Sequence, residues 1–158
     1  MDQPTNSQTP MLTAARQPTS LSAPTQVGDV MTQNIITMLP HQSFAEVGGM
    51  MANRAFRHVL VVDADERLHG VISDRDVLRA LSRTPDWSKK SVSEIMTAEP
   101  LAASLKMPIS VAIKSMLAMR INCLPVVGAD GKVCGILTST DLLKAYENIQ
   151  TRLEESAG

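Results

Sequence analysis

From Val27 to Gln150 the apolar residues fall into two kinds of spacing. Short, mostly apolar runs, 35–38, 58–62 and 68–72, are rich in β-branched residues and bounded by polar turns, as buried strands are. Between the first two, Phe44, Val47, Met50 and Met51 recur at helical intervals behind Ser43-Phe44-Ala45-Glu46. That tetrapeptide is a capping-box pattern, with Ser43 as N-cap and Glu46 reaching back, and it predicts a helix to about Asn53. Asp63-Ala64-Asp65-Glu66 reads as a hairpin turn, and Ser73 or Asp74 as the cap of a second helix to about Leu81. With a short helical turn at Val27–Met31 in front, the order is β-α-β-β-α.

The whole pattern then recurs. Gly70-Val71-Ile72-Ser73-Asp74-Arg75-Asp76 matches Gly135-Ile136-Leu137-Thr138-Ser139-Thr140-Asp141, an offset of 65 residues from 70 to 135. The same offset aligns Val61-Val62 with Val126-Val127, and Val30-Met31-Thr32 with Ile95-Met96-Thr97, with no gap from Val27 to Ala80. In the second copy, Leu101–Ala103 is the short strand and Pro108 suits a first helical turn. Ile109, Ala112, Ile113 and Met116 form the helical stripe. Leu124–Val127 and Val133–Leu137 flank an Asp130-Gly131 turn, and Thr138 precedes a last helix to about Gln150. One such unit cannot bury both faces of its sheet, so the expected fold is α/β (α+β): two tandem β-α-β-β-α repeats packed with pseudo-two-fold symmetry. The expected division is a disordered tail at 1–26, units at 27–82 and 92–151, a linker at 83–91 and a C-terminal tail at 152–158.

Composition narrows the function classes. The chain has 158 residues, 44% of them hydrophobic but only 3% aromatic, so its core is aliphatic and rich in methionine. Met51 and Met116 are expected in the core, Met50 and Met119 at an adaptable interface. A formal net charge of −1, without a charge block, argues against nucleic-acid binding. No run of 18 apolar residues and no secretion signal are present, so neither a membrane span nor secretion is expected. Cys123 and Cys134 lack a CxxC spacing, and His41, His58 and His69 form no ligand pattern, so neither a disulfide nor a metal site is expected. There is no paired nucleophile and base, no Walker loop and no GxGxxG. Asp74 and Asp76 would diverge from a helix start rather than share a proton. No catalytic residue is assigned, and the chain is read as not an enzyme.

The repeated Gly-x-x-Ser/Thr-x-x-Asp has two readings. A hydroxyl at the strand end and an aspartate in the first helical turn satisfy orphan amides and complement the helix dipole. The same atoms can also accept both hydroxyls of a ribose and hold a phosphate. Val-Met-Thr, a capped helix, His58-Val-Leu-Val-Val-Asp63 or Cys123-Leu-Pro-Val-Val-Gly128, and the Gly-x-x-Ser/Thr-x-x-Asp motif, twice in register, resemble the CBS domain, named after cystathionine β-synthase. Two such domains in tandem form a Bateman module, and the resemblance covers about residues 27–150, so a stand-alone module is expected.

The resemblance implies a cytoplasmic regulatory sensor without catalysis, binding an adenosyl ligand (AMP, ADP, ATP, S-adenosylmethionine or NAD(H)) in the cleft between the domains. It requires no cofactor, and implies a disc-like homodimer formed through the helices and a regulated protein partner. Ser73 and Asp76 would mark one site, Thr138 and Asp141 the other. Arg75 would add a phosphate partner beside Asp76, where Thr140 stands in the second copy. Arg57 and His58 would strengthen that same site, their counterparts being Asn122 and Cys123. Adenine would lie among Ile35, Ile36, Val59 and Val61 in the first copy, and Leu101, Leu124 and Val126 in the second, with Trp87 on the linker surface. The alternative is a ligand-free dimerisation or protein-interaction scaffold, in which the hydroxyl and aspartate are caps only.

Overall fold

The computed structural model describes residues 22–54 and 56–158. The first repeat comprises α1 (Val27–Val30), β1 (Thr37–Met38), α2 (Ala45–Arg54), β2 (His58–Val62), β3 (Leu68–Ser73) and α3 (Asp74–Arg83). A one-turn 3-10 helix at Trp87–Lys89 leads to the second: α4 (Val92–Ile95), β4 (Thr97–Ala98), β5 (Ala103–Ser104), α5 (Ile109–Met119), β6 (Cys123–Val127), β7 (Val133–Thr138) and α6 (Ser139–Ala157). The mixed α/β fold of two sheets is the expected one.

The repeat holds at the level of hydrogen-bond register. Met38 pairs in parallel with Val61, as Ala103 does with Val126. Val61 faces Gly70 and Val126 faces Gly135, and both hairpins slip register one residue further on. The reason lies in the turns: Glu66 and Gly131, equivalent positions, both adopt positive φ, at 62° and 80°. Gly131 takes that conformation without the crowding a Cβ brings.

The two repeats exchange their leading segments. Val27 of the first repeat is buried with Ala112, Leu124 and Leu137 of the second. Val92 of the second repeat is buried with Phe44, Val59 and Ile72 of the first. Val27 N–H donates to the Met107 carbonyl as Val92 N–H does to that of Gln42. Thr32 bridges Ile136 of β7 antiparallel, and β4 adds to the edge of β3 with Thr97 opposite Val71. Each half of the molecule is therefore a sheet and two helices from one repeat, closed by the leading segment of the other, α1 to Thr32 or α4 to β4.

Strand alternation then sorts the side chains. Val59, Val61 and Ile72 face the helices and are fully buried, each contributing about 1.5–3 kcal/mol of hydrophobic stabilisation. Leu60, Val71 and Ile136 face the other way and form a third cluster between the two sheets. The two hairpin turns meet there too, through an Arg67–Lys132 bridge.

Several boundaries differ from the sequence expectation. The short strands lie at Thr37–Met38 and Ala103–Ser104, at the late end of the apolar runs that predicted them. The helix expected from Ser43 begins at Ala45, whose amide the Ser43 hydroxyl accepts at 3.3 Å, so Ser43 makes a local turn in place of the reciprocal box. Of the tail expected at 1–26, residues 1–21 lie outside the described residues, whereas Thr25 and Gln26 pair with the segment at Pro108–Ile109. The last helix continues to Ala157, well past Gln150 and through most of the expected C-terminal tail. Its added turns are solvent-exposed, so no apolar stripe announced them. Trp87, expected on the linker surface, packs edge-to-face on Phe44 with ring centroids 6.3 Å apart and pins the linker to the first core.

Candidate functional site

Each Gly-x-x-Ser/Thr-x-x-Asp motif folds into the same cap. Asp76 Oδ2 accepts from the Ser73 amide at 2.8 Å and from its hydroxyl at 3.0 Å, while the Asp76 amide donates to Ser73 Oγ at 3.2 Å. Thr138 and Asp141 reproduce the three distances. The capping role is therefore filled in both copies. It uses one oxygen of each carboxylate, and the two second oxygens differ. Asp141 Oδ1 accepts from the Thr32 hydroxyl at 2.7 Å. Among the described residues, Asp76 Oδ1 is approached only by Arg79 Nη1 at 3.5 Å, from a side chain 64% exposed.

Two clefts open beside these caps, related by the repeat. One, of about 390 Å3, is lined by Ser73, Arg75, Asp76 and Val71 from the first repeat, and by Thr97, Pro100, Leu101, Ile121, Asn122 and Cys123 from the second. The other, of about 160 Å3, is lined by the equivalents: Thr138, Thr140 and Ile136, with Thr32, Ile35, Ile36, Phe56, Arg57 and His58. Each cleft thus takes its hydroxyl from one repeat and its apolar wall from the other, because the leading segments cross over. Asp76 lines the larger cleft. Asp141 reaches instead a groove of about 620 Å3 between residues 22–25 and α6.

The crossing redistributes the expected residues. Arg57 and Ile36, expected with Asp76, line the Thr138 cleft, and Leu101 lines the Asp76 cleft. His58 lines both, because it faces the gap between the sheets as Leu60 does. Val59, expected against adenine, is fully buried among Phe44, Val47 and Ile72, as is Val61. Leu124 and Val126 are likewise core. Alternation along β2 and β6 sends these side chains toward the helices, away from either cleft. The larger cleft gains two cations that sequence reasoning missed, Arg79 and Arg120, as well as Glu99. Among the described residues the Arg75 guanidinium forms no ion pair. Thr32 was also missed as a site residue, although its place in the repeated Val-Met-Thr landmark was a signal for it.

Two groups in this gap have shifted titration. Burial pushes the His58 imidazole below its ordinary 6.5, overcoming the pull of Asp74, Asp76 and Asp141, and Arg57 lowers it further. Burial, reinforced by the Asp76 charge, pushes the Cys123 thiol up to about 12, so it is protonated and a poor nucleophile at neutral pH. Among the described residues no group of three or more His, Cys, Asp or Glu could hold a metal ion. No described helix is long and apolar enough to cross a membrane.

The sequence profile of the CBS domain matches this chain twice, over residues 27–83 and 92–148. The chain belongs to the CBS domain family. Its two matched copies are the two repeats whose crossing builds the clefts. Among solved structures, the CBS domain pair of protein MJ0100, in complex with 5′-methylthioadenosine and S-adenosyl-L-methionine, superimposes with a TM-score of 0.71 at 28% identity, covering 78% of this chain and 96% of that one. CBSX2 of Arabidopsis thaliana in complex with AMP gives a TM-score of 0.71 at 30% identity, covering 78% and 97%. A homoserine O-acetyltransferase of Methanohalobium evestigatum is 29% identical over 123 residues, 78% of this chain. The chain spans only 24% of that enzyme's length.

Proposed function

We propose that this CBS pair is a regulatory module that binds an adenosyl ligand in the cleft beside Asp76, without catalysis of its own. The observation that carries this reading is the Asp76 carboxylate: it lines a cleft of about 390 Å3 that has an apolar wall and three arginines, Arg75, Arg79 and Arg120, and the cap uses one of its two oxygens. A ribose diol suits the carboxylate, phosphates suit the Ser73 end of the strand and the arginines, and a purine suits Leu101, Pro100 and Ile121. The bound AMP of CBSX2 and the bound adenosyl compounds of the MJ0100 pair support the ligand class. Thr138, Ile36, Arg57 and His58 line the second, smaller candidate site, and Asp141 caps the helix beside it. A cytoplasmic setting agrees with two free cysteines.

Because the cleft is walled by both repeats, a ligand that fits one mutual angle better would shift the population of that angle. A regulated partner would read the change.

The test is a thermal-shift panel of AMP, ADP, ATP, S-adenosylmethionine and NADH on ligand-free protein at fixed salt. A ligand at 100 times its dissociation constant adds about 2.7 kcal/mol to stability. At least one is expected to raise the melting temperature of the wild type and to lose that effect in Asp76→Ala. A flat response to the whole panel would leave the motifs as helix caps and favour the ligand-free scaffold, which the exposed apolar residues of α5 and α6 would then serve.

A further inference from the structure

The two capping aspartates share the same backbone setting and differ in one hydrogen bond. Thr32 and Thr97 are equivalent residues, and each is bound antiparallel to the other repeat, Thr32 to Ile136 and Thr97 to Val71. Thr32 also donates its hydroxyl to Asp141 Oδ1 at 2.7 Å. Among the described residues Thr97 makes no such bond to Asp76.

A carboxylate offers about four acceptor positions, two on each oxygen. In both copies the cap takes two of them, from the amide and the hydroxyl of the N-cap residue. Asp76 therefore keeps two positions, contested among the described residues by the long and exposed Arg79 contact alone. Asp141 keeps one. A ribose 2′,3′-diol donates two hydroxyls and needs two positions. Two backbone hydrogen bonds with Ile136, both 2.9 Å, hold the Thr32 main chain in place and keep its hydroxyl within reach of Asp141.

We propose that Thr32 is a built-in competitor for a ribose at the Asp141 carboxylate, so that this chain fills its Asp76 cleft first and takes ribonucleotides there through both hydroxyls. The inference rests on the reading of the clefts as nucleotide sites and adds their order and the residue that sets it. The Thr138 cleft, which Thr32 lines, is the smaller of the repeat-related pair, about 160 Å3 against about 390 Å3, and Asp141 is not part of its lining as Asp76 is of the larger one.

Calorimetric titration with AMP and with 2′-deoxy-AMP tests it. Wild type is expected to bind one AMP per chain with higher affinity, and to bind the deoxy compound about tenfold more weakly, the worth of one hydrogen bond to a charged group. In Thr32→Val a second site is expected to tighten by about tenfold and to acquire its own preference for AMP over the deoxy compound. A merely structural role for Thr32 would not create that preference. Two equal sites in wild type, or an unchanged second site in a folded Thr32→Val protein, would overturn the proposal while leaving nucleotide binding in place. Absence of heat with AMP, ATP and S-adenosylmethionine alike would overturn the cleft reading and this proposal together. Should Thr32→Val fail to fold, Asp76→Ala and Asp141→Ala decide: the tighter site is expected to vanish in the first and persist in the second, and the reverse pattern is fatal.

Discussion

Gly70 and Gly135 show how the repeat depends on single atoms. A Cβ at Gly70 would lie 2.3 Å from Met96 Sδ and 2.9 Å from the Thr97 carbonyl oxygen. At Gly135 it would lie 2.7 Å from Met31 Sδ and 2.8 Å from the Thr32 carbonyl oxygen. A methionine end can move, but a strand-paired carbonyl can move only with its strand. Gly135→Ala is therefore expected to cost about 1–3 kcal/mol, the usual range for overpacking. It should also displace the strand that carries Thr32. Urea denaturation measures the loss, and a variant as stable as wild type would show that the segment yields without strain. His58 gives a pH prediction. Its folded value lies below 6.5 because burial disfavours the imidazolium, so below about pH 6.5 the unfolded chain binds a proton that the folded chain refuses. That contribution to stability is whole above the unfolded value and declines as the pH falls through it. Wild type is thus expected to lose more stability than His58→Gln between pH 7.5 and 5.5, and equal losses by urea denaturation would refute the assignment.

Among the elements, what the sequence made legible is what local physics decides. Both hairpins, both Ser/Thr–Asp caps and the equivalence of the repeats follow from β-branched runs, turn residues and first-turn aspartates. The two-residue strands β1 and β5 were located only to within two residues, because so short a run has no period to fix it. The crossing of α1 and α4 was not legible at all. An internal repeat shows that two units are alike, and it says nothing about which unit a leading segment packs on. Every misplaced site residue traces to that crossing or to strand alternation. Arg57 and Ile36 moved to the other cleft because each apolar wall faces the hydroxyl of the opposite repeat. Val59 left the site because it is an odd neighbour of His58 and Leu60 on the same strand. Ser73, Arg75 and Asp76 stayed together because they lie within four residues of one cap, where sequence proximity and spatial proximity coincide.

At the scale of the molecule, the three clusters close the core but leave apolar side chains outside it. Leu78 of α3 and Leu143 of α6 are equivalent through the repeat and are 67% and 69% exposed. Leu117 and Met119 of α5, and Tyr146 and Leu153 of α6, are also exposed. Single exposed leucines are ordinary on a monomer, but a pair at the same place in both repeats is the pattern that a two-fold partner would use. A second copy set against these helices would bury the pair twice over, which is the homodimer that the resemblance implied. Light scattering after size exclusion is expected to give a dimer for wild type and a monomer for the double variant Leu78→Glu/Leu143→Glu. Circular dichroism should be unchanged, because neither side chain belongs to any of the three clusters. A monomeric wild type, or a variant that still dimerises, would remove the helices as the interface. A dimer through this face would run beside the larger cleft, which Asp76 and Arg79 of α3 and Met119 of α5 line, so a ligand there would bear on the contact as well as on the angle between the halves.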